Sequence, residues 1–272
     1  MIVGFIGTGS MGSTLIDAFI RSGAILPNQI IASNRTKSKL ENIQATHYGV
    51  KLADNNAEAA VHSDILFICV KPHEYHEVLT EIKPFLVDSQ LVVSITSPVL
   101  IRHLEQQIPC KIAKVIPSVT NSICSGASLC MFSERLNDNE KDMLEKLLSH
   151  ISTPIRIDEQ FTRIISDISS CGPAFLSFFI QKFIEAAVEE TEIPEEIATT
   201  LASEMTLGTG KLLTEASFTP QSLQAKVSVP GGITAEGLKL LESRLDGVFH
   251  DLIKVTHAKY RDDLSKLDKQ WP

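Results

Sequence analysis

Short apolar runs of strand length alternate with amphipathic stretches through roughly the first 160 residues. The clearest runs are residues 2–6, 30–33, 65–70, 91–95 and 111–116. Near-continuous apolar runs suit strands covered on both faces. Their alternation with helical segments, such as 101–107 and 138–149, predicts an α/β fold with a mostly parallel sheet and helices on both faces. Residues 128–132 and 154–157 are expected to add edge strands.

The pattern changes near residue 160. Beyond it the periodicity is helical, with helices expected over about 195–216, 233–242 and 244–264 and no strand. Cys171-Gly172-Pro173 reads as a helix start, because proline in a first turn forfeits no hydrogen bond. Phe175, Leu176, Phe179, Ile180, Phe183, Ile184, Ala187 and Val188 then recur at helical spacing. Ala174, Phe178 and Ala186 make this helix apolar nearly all round, which a small domain can hardly cover. A subunit interface is the expected cover. The expected division is an α/β domain over residues 1–160 and an all-helical domain over 161–272.

Chemistry enters at the first turn. Gly7-Thr8-Gly9-Ser10-Met11-Gly12 follows the first apolar run without a gap and opens an amphipathic helix. In this spacing the first glycine permits the tight turn, the second lets a pyrophosphate approach the backbone, and the third lets helix pack on strand. Helix-start N–H groups then face the phosphates. The α/β domain is therefore expected to be a Rossmann-type dinucleotide-binding domain. After the second run the chain reads Ser33-Asn34-Arg35-Thr36-Lys37, with no acid before Glu41. An NAD site needs a carboxylate there for the ribose 2′-OH, whereas Arg35 offers a charged fork suited to a 2′-phosphate. Ser33 and Thr36 add hydroxyls. NADPH is the expected cofactor, with NADH possible. Cys69-Val70-Lys71-Pro72 ends the third run, where ligands of open parallel sheets bind. Proline holds Lys71 extended, so its backbone faces the cofactor or its ammonium acts as an acid.

Bulk properties narrow the partners. A net charge of −8 with no basic stripe argues against nucleic acid. Five cysteines without a C-x-x-C spacing fit reduced thiols in a cytoplasmic protein. No metal site is expected from His73 and His76 alone, and no membrane partner, since no uninterrupted apolar run approaches spanning length.

Taken together, the segments 4–12, 33–36, 69–72, 114–118, 169–175 and 227–237 resemble the pyrroline-5-carboxylate reductase family in order and spacing. The departures from the usual pattern most resemble its late-competence branch in spore-forming bacteria, associated with competence and developmental control. The resemblance implies a Rossmann domain followed by a helical dimerisation domain, and reduction of a cyclic imine to proline with NAD(P)H. It places Asn56 near the adenosine end of the cofactor. It makes Pro230-Gly231-Gly232-Ile233-Thr234 the substrate segment, with helix-start N–H groups for a carboxylate and the Thr234 hydroxyl as the catalytic donor to the imine nitrogen. Ser118, Cys171, Val229 and Ile233 stand at or beside that expected site, where the family usually has Asn, Ser, Ser and Thr. These departures keep a second function class open, a dinucleotide-binding regulator with little turnover. A reductase of another substrate, such as a deazaflavin or a hydroxy acid, is weaker. The hydroxy-acid chemistry would want a lysine near residue 170, and none occurs in that helix before Lys182.

Overall fold

The computed structural model describes residues 1–269. The chain forms two compact units, one of residues 1–173 with the chain from 256 onward, the other of residues 174–255. The sequence reading draws its line at residue 160, after the last strand. The compact division falls later, within a helix, and returns the chain's last segment to the first unit.

The first unit is built on one eight-stranded sheet in the order β3-β2-β1-β4-β5-β6-β7-β8. The strands are β1 (Val3–Ile6), β2 (Ile30–Ser33), β3 (Lys51–Leu52), β4 (Ile65–Ile68), β5 (Leu91–Ser94), β6 (Lys111–Ile116), β7 (Ala127–Phe132) and β8 (Thr153–Arg156). All neighbours are parallel except β6 and β7. The helices between them are α1 (Ser10–Arg21), α2 (Lys37–Thr46), α3 (Asn56–Val61), α4 (Tyr75–Ile82), α5 (Ile101–Gln107) and α6 (Asp138–Leu148). The expected strands are all present, with ends shifted by one or two residues, but β7 is no edge strand: it pairs with β6 and β8, and β8 alone takes that edge. Among the described residues the two-residue β3 is the one addition.

Alternation along each strand feeds two cores. Phe5 and Phe67 point to one face with Phe19 of α1, while Ile6, Leu66 and Ile68 point to the other with Tyr75, Leu79 and Ile82 of α4. Phe5 and Phe67 stack with ring centroids 5.1 Å apart. Burying each such ring contributes about 1.5–3 kcal/mol.

The expected helix start at Cys171 is not one. α7 (Thr162–Ser166), a π-helical turn over Asp167–Cys171 and α8 (Gly172–Thr191) follow one another without a break. Pro173 has no N–H for the carbonyl of Ser169 and its ring crowds that carbonyl. The wider π turn relieves the crowding. The freed carbonyl accepts a hydrogen bond of 2.8 Å from the Ser118 hydroxyl instead.

The second unit holds most of α8, then α9 (Glu195–Thr214), α10 (Pro220–Val227), α11 (Ile233–Leu245) and the first part of α12 (Val248–Asp268). α10 lies outside the expected helices, although Thr219 caps it and Pro220 opens it. Among the described residues of this unit only Ala198 and Ala202 are buried. By length and composition the continuous stretch Glu159–Thr191 could cross a membrane, and none of its most apolar window is buried.

Candidate active site

The strand order reverses between β1 and β4, and a cleft of about 280 Å³ opens there beyond their carboxyl ends. Of the sequence-predicted cofactor residues, Gly7, Gly9, Asn34, Arg35, Asn56, Val70 and Lys71 line it. Gly7 has φ 94°, and a Cβ on it would stand 2.8 Å from the carbonyl oxygen of Cys69. A Cβ on Gly12 would stand 2.1 Å from the carbonyl oxygen of Gly7, so this glycine lets α1 pack on the turn. Around Gly9 the space is open. Gly9 caps α1 with no side-chain hydrogen bond, and the first turn carries no acid, which leaves its N–H groups for an anion. A pyrophosphate fits this cradle by the donors it offers and the side chains it lacks.

The other predicted positions support the cleft without lining it. Met11 packs against the core. Thr8 is buried, its hydroxyl accepting from Asn34 Nδ2 at 2.8 Å, and with Ser10 it faces a second depression on the α2 side. Pro72 opens the short helical turn before α4. Ser33 is buried and its hydroxyl donates to Asn56 Oδ1 at 2.7 Å. Asn34 Oδ1 accepts from the Thr36 amide at 2.8 Å. Arg35 remains the outward cation, with its side chain 83% exposed.

Sequence reasoning missed the acids that face these groups. Glu74 Oε1 lies 3.2 Å from Arg35 Nη2, while Glu74 Oε2 accepts from the Lys71 amide at 3.0 Å. Glu81 accepts from the Asn56 amide and from its Nδ2, at 3.1 and 2.6 Å. The three- and four-residue spacing of Glu74, Glu77 and Glu81 was available as a signal, but only the topology brings that face to the cleft. Also missed was Lys114, fully buried in β6. Its Nζ donates to the Ser97 carbonyl at 2.6 Å and to Glu159 Oε1 at 3.1 Å. Burial pushes the Lys114 pKa down, and the Glu159 carboxylate opposes that shift.

The predicted substrate residues fall in two places. Ser118 and Cys171 belong to the first unit. Ser118 is buried and ties the end of β6 to the π turn, and Ser170 returns the link by donating to the Pro117 carbonyl at 2.9 Å. Cys171 Sγ accepts from Arg163 Nη2 at 3.3 Å, and the same guanidinium nitrogen pairs with Asp167 at 2.7 Å. Val229, Gly231, Gly232, Ile233 and Thr234 belong to the second unit. There Gly231 has φ 72°, and a Cβ on Gly232 would meet Val229 Cγ2 at 2.7 Å. Gly232 caps α11 without a side-chain hydrogen bond, so the first turn, which includes Thr234, keeps bare N–H groups. Val229 is 64% and Ile233 95% exposed.

Comparison with known proteins bears on both units. Residues 159–263 match the family described as pyrroline-5-carboxylate reductase dimerisation, and residues 2–98 match NADP oxidoreductase, coenzyme F420-dependent. The chain is 42% identical over 271 residues to ComE operon protein 4 of Bacillus subtilis (strain 168), covering 100% of this chain and 99% of that one. It is 32% identical over 262 residues to pyrroline-5-carboxylate reductase of Aquifex aeolicus (strain VF5), covering 95% and 96%. The crystal structure of Plasmodium falciparum pyrroline carboxylate reductase with NADP bound superposes with a TM-score of 0.84 at 25% identity, over 97% of each chain.

Proposed function

From the premise that the chain belongs to the pyrroline-5-carboxylate reductase family, we propose that it reduces the C=N bond of 1-pyrroline-5-carboxylate with NADPH, giving L-proline. The observation that carries this reading is the cleft at the β1–β4 switch point, with a glycine cradle at its base and Arg35 at its rim. NADPH, when bound, supplies the hydride for the imine carbon. The residues of the glycine turn hold its pyrophosphate on backbone N–H groups, and Arg35 meets the 2′-phosphate. The bare first turn of α11 binds the substrate carboxylate, with Gly231 and Gly232 keeping side chains out of its way. The Thr234 hydroxyl donates to the imine nitrogen and assists its protonation. Val229 and Ile233 flank or belong to that segment and complete its surroundings. A protonated imine is already electrophilic, so orientation and charge placement carry the catalysis and no strong base is needed.

A second copy of the chain covers the helical unit. The support is the near-absence of buried side chains in residues 174–255 and the dimerisation family matched there. The reading includes a cytoplasmic location, supported by five free cysteines.

The test is NADPH oxidation by the purified protein given 1-pyrroline-5-carboxylate. Thr234→Ala is expected to lower the turnover at least ~100-fold, as loss of a transition-state hydrogen-bond donor does. Cofactor binding without turnover would favour the second reading, a dinucleotide-binding regulator. That reading draws support from the greater identity to ComE operon protein 4 and from the apolar Val229 and Ile233 beside the substrate segment.

A further inference from the structure

We propose that Glu74 is a specificity-determining residue, whose carboxylate opposes a 2′-phosphate at Arg35 and so limits the preference for NADPH over NADH. The inference rests on the reading of the cleft as the cofactor site.

The local bonding leaves Arg35 as the cation that a 2′-phosphate meets at the end of β2. The Ser33 hydroxyl donates to Asn56, and the Asn34 amide donates to Thr8. The Arg35 guanidinium is itself held 3.2 Å from Glu74. The Glu74 carboxylate is fixed by its own turn. Its second oxygen accepts from the Lys71 amide, and the Glu74 amide donates to the Lys71 carbonyl at 2.9 Å. Its side chain is only 24% exposed. A phosphate arriving at Arg35 must share or take the guanidinium from a carboxylate that stays in place.

The surrounding charges do not remove this conflict. Lys39 and Lys71 line the same cleft, but so do Glu77 and Glu81. Glu81 is bonded to Asn56, at the position expected near the adenosine end. With NADH the balance reverses. A ribose 2′-OH can donate to a carboxylate, the service that an acid after the second strand performs in NAD sites. Here that acid comes from the turn before α4.

The test uses the purified full-length protein and measures dissociation constants for NADPH and NADH by titration calorimetry at fixed ionic strength. Glu74→Gln keeps an oxygen for the Lys71 amide and removes the charge. It is expected to raise the NADPH-to-NADH affinity ratio by roughly 3–10-fold, the scale of one partly exposed charge pair. An unchanged ratio, or a parallel loss of both affinities, would overturn the proposal and leave Glu74 as a brace for the Lys71 turn. Arg35→Ala separates this from failure of the cofactor reading. If Arg35→Ala weakens NADPH while Glu74→Gln leaves the ratio unchanged, only the inference about Glu74 falls. If Arg35→Ala leaves NADPH unaffected, the phosphate does not sit at Arg35 and both readings fall.

Discussion

Both units of this chain are rich in large apolar side chains, and they bury them to opposite degrees. In the first, Phe5, Phe19 and Phe67 are fully buried, and each sheet face has its own core. In the second, Phe178, Phe183, Leu201 and Val255 stand 56, 67, 60 and 68% exposed. The first unit is complete as a folding problem within one chain. The second leaves much of its apolar surface open, even where α8 meets α9, so within one chain little of the hydrophobic stabilisation is realised. The comparison teaches that the two halves of the proposed chemistry rest on different guarantees. The cleft at the β1–β4 switch point is held by an intrachain core, whereas the segment proposed for the substrate lies in a unit with almost no core of its own.

The sharpest way to break this comparison is to charge the uncovered surface. Phe183→Glu places an unpaired carboxylate in the face that a second copy is expected to bury. Association should weaken by at least ~3 kcal/mol, the scale of an uncompensated buried charge. Sedimentation should then show a monomer, reductase turnover should collapse, and NADPH affinity should persist because Arg35 and the glycine turn lie in the first unit. An unchanged mass would show that Phe183 is not at the interface. Vesicle binding by the wild-type chain, lost in the variant, would instead assign the helix to a membrane.

A truncation in the intact core sharpens the contrast. Phe67→Ala removes a fully buried ring from the stack on Phe5 and should cost about 3–5 kcal/mol. The urea midpoint of the first unit should fall by the same amount at every protein concentration. For the second unit the midpoint should rise with concentration, as for any fold completed by association. A concentration-dependent loss in Phe67→Ala would mean that the first unit also leans on a partner.

Much of this division was legible in the sequence, and what escaped has physical reasons. Strands such as 30–33 and 111–116 were readable because burial on both faces forces an apolar run. The glycine turn was readable because its geometry tolerates few substitutes. The helix around Phe183 betrayed its missing cover by being apolar nearly all round. β3 escaped because Lys51–Leu52 is too short to carry a pattern. The pairing of Arg35 with Glu74 escaped because the strand order, not spacing along the chain, brings them together. Pro173 misled for a related reason. A proline marks a helix start unless a tertiary partner takes the carbonyl it strands, and Ser118 is that partner.

That partnership gives the smallest effect and the most discriminating one. Ser118 was expected beside the substrate because the family usually has an asparagine there. In the structure it is buried, and its hydroxyl is spent on the Ser169 carbonyl. Ser118→Ala should leave that carbonyl unsatisfied and cost about 1–3 kcal/mol. In a unit of this size the melting temperature should fall by roughly 2–4 °C for each kcal/mol. Ser118→Asn keeps a donor and should recover part of the loss. A substrate role predicts a different pair of results, with melting temperature unchanged and the KM for the imine raised in Ser118→Ala. Measuring both quantities on the same two variants decides whether this serine holds the helix in place or touches what the enzyme reduces.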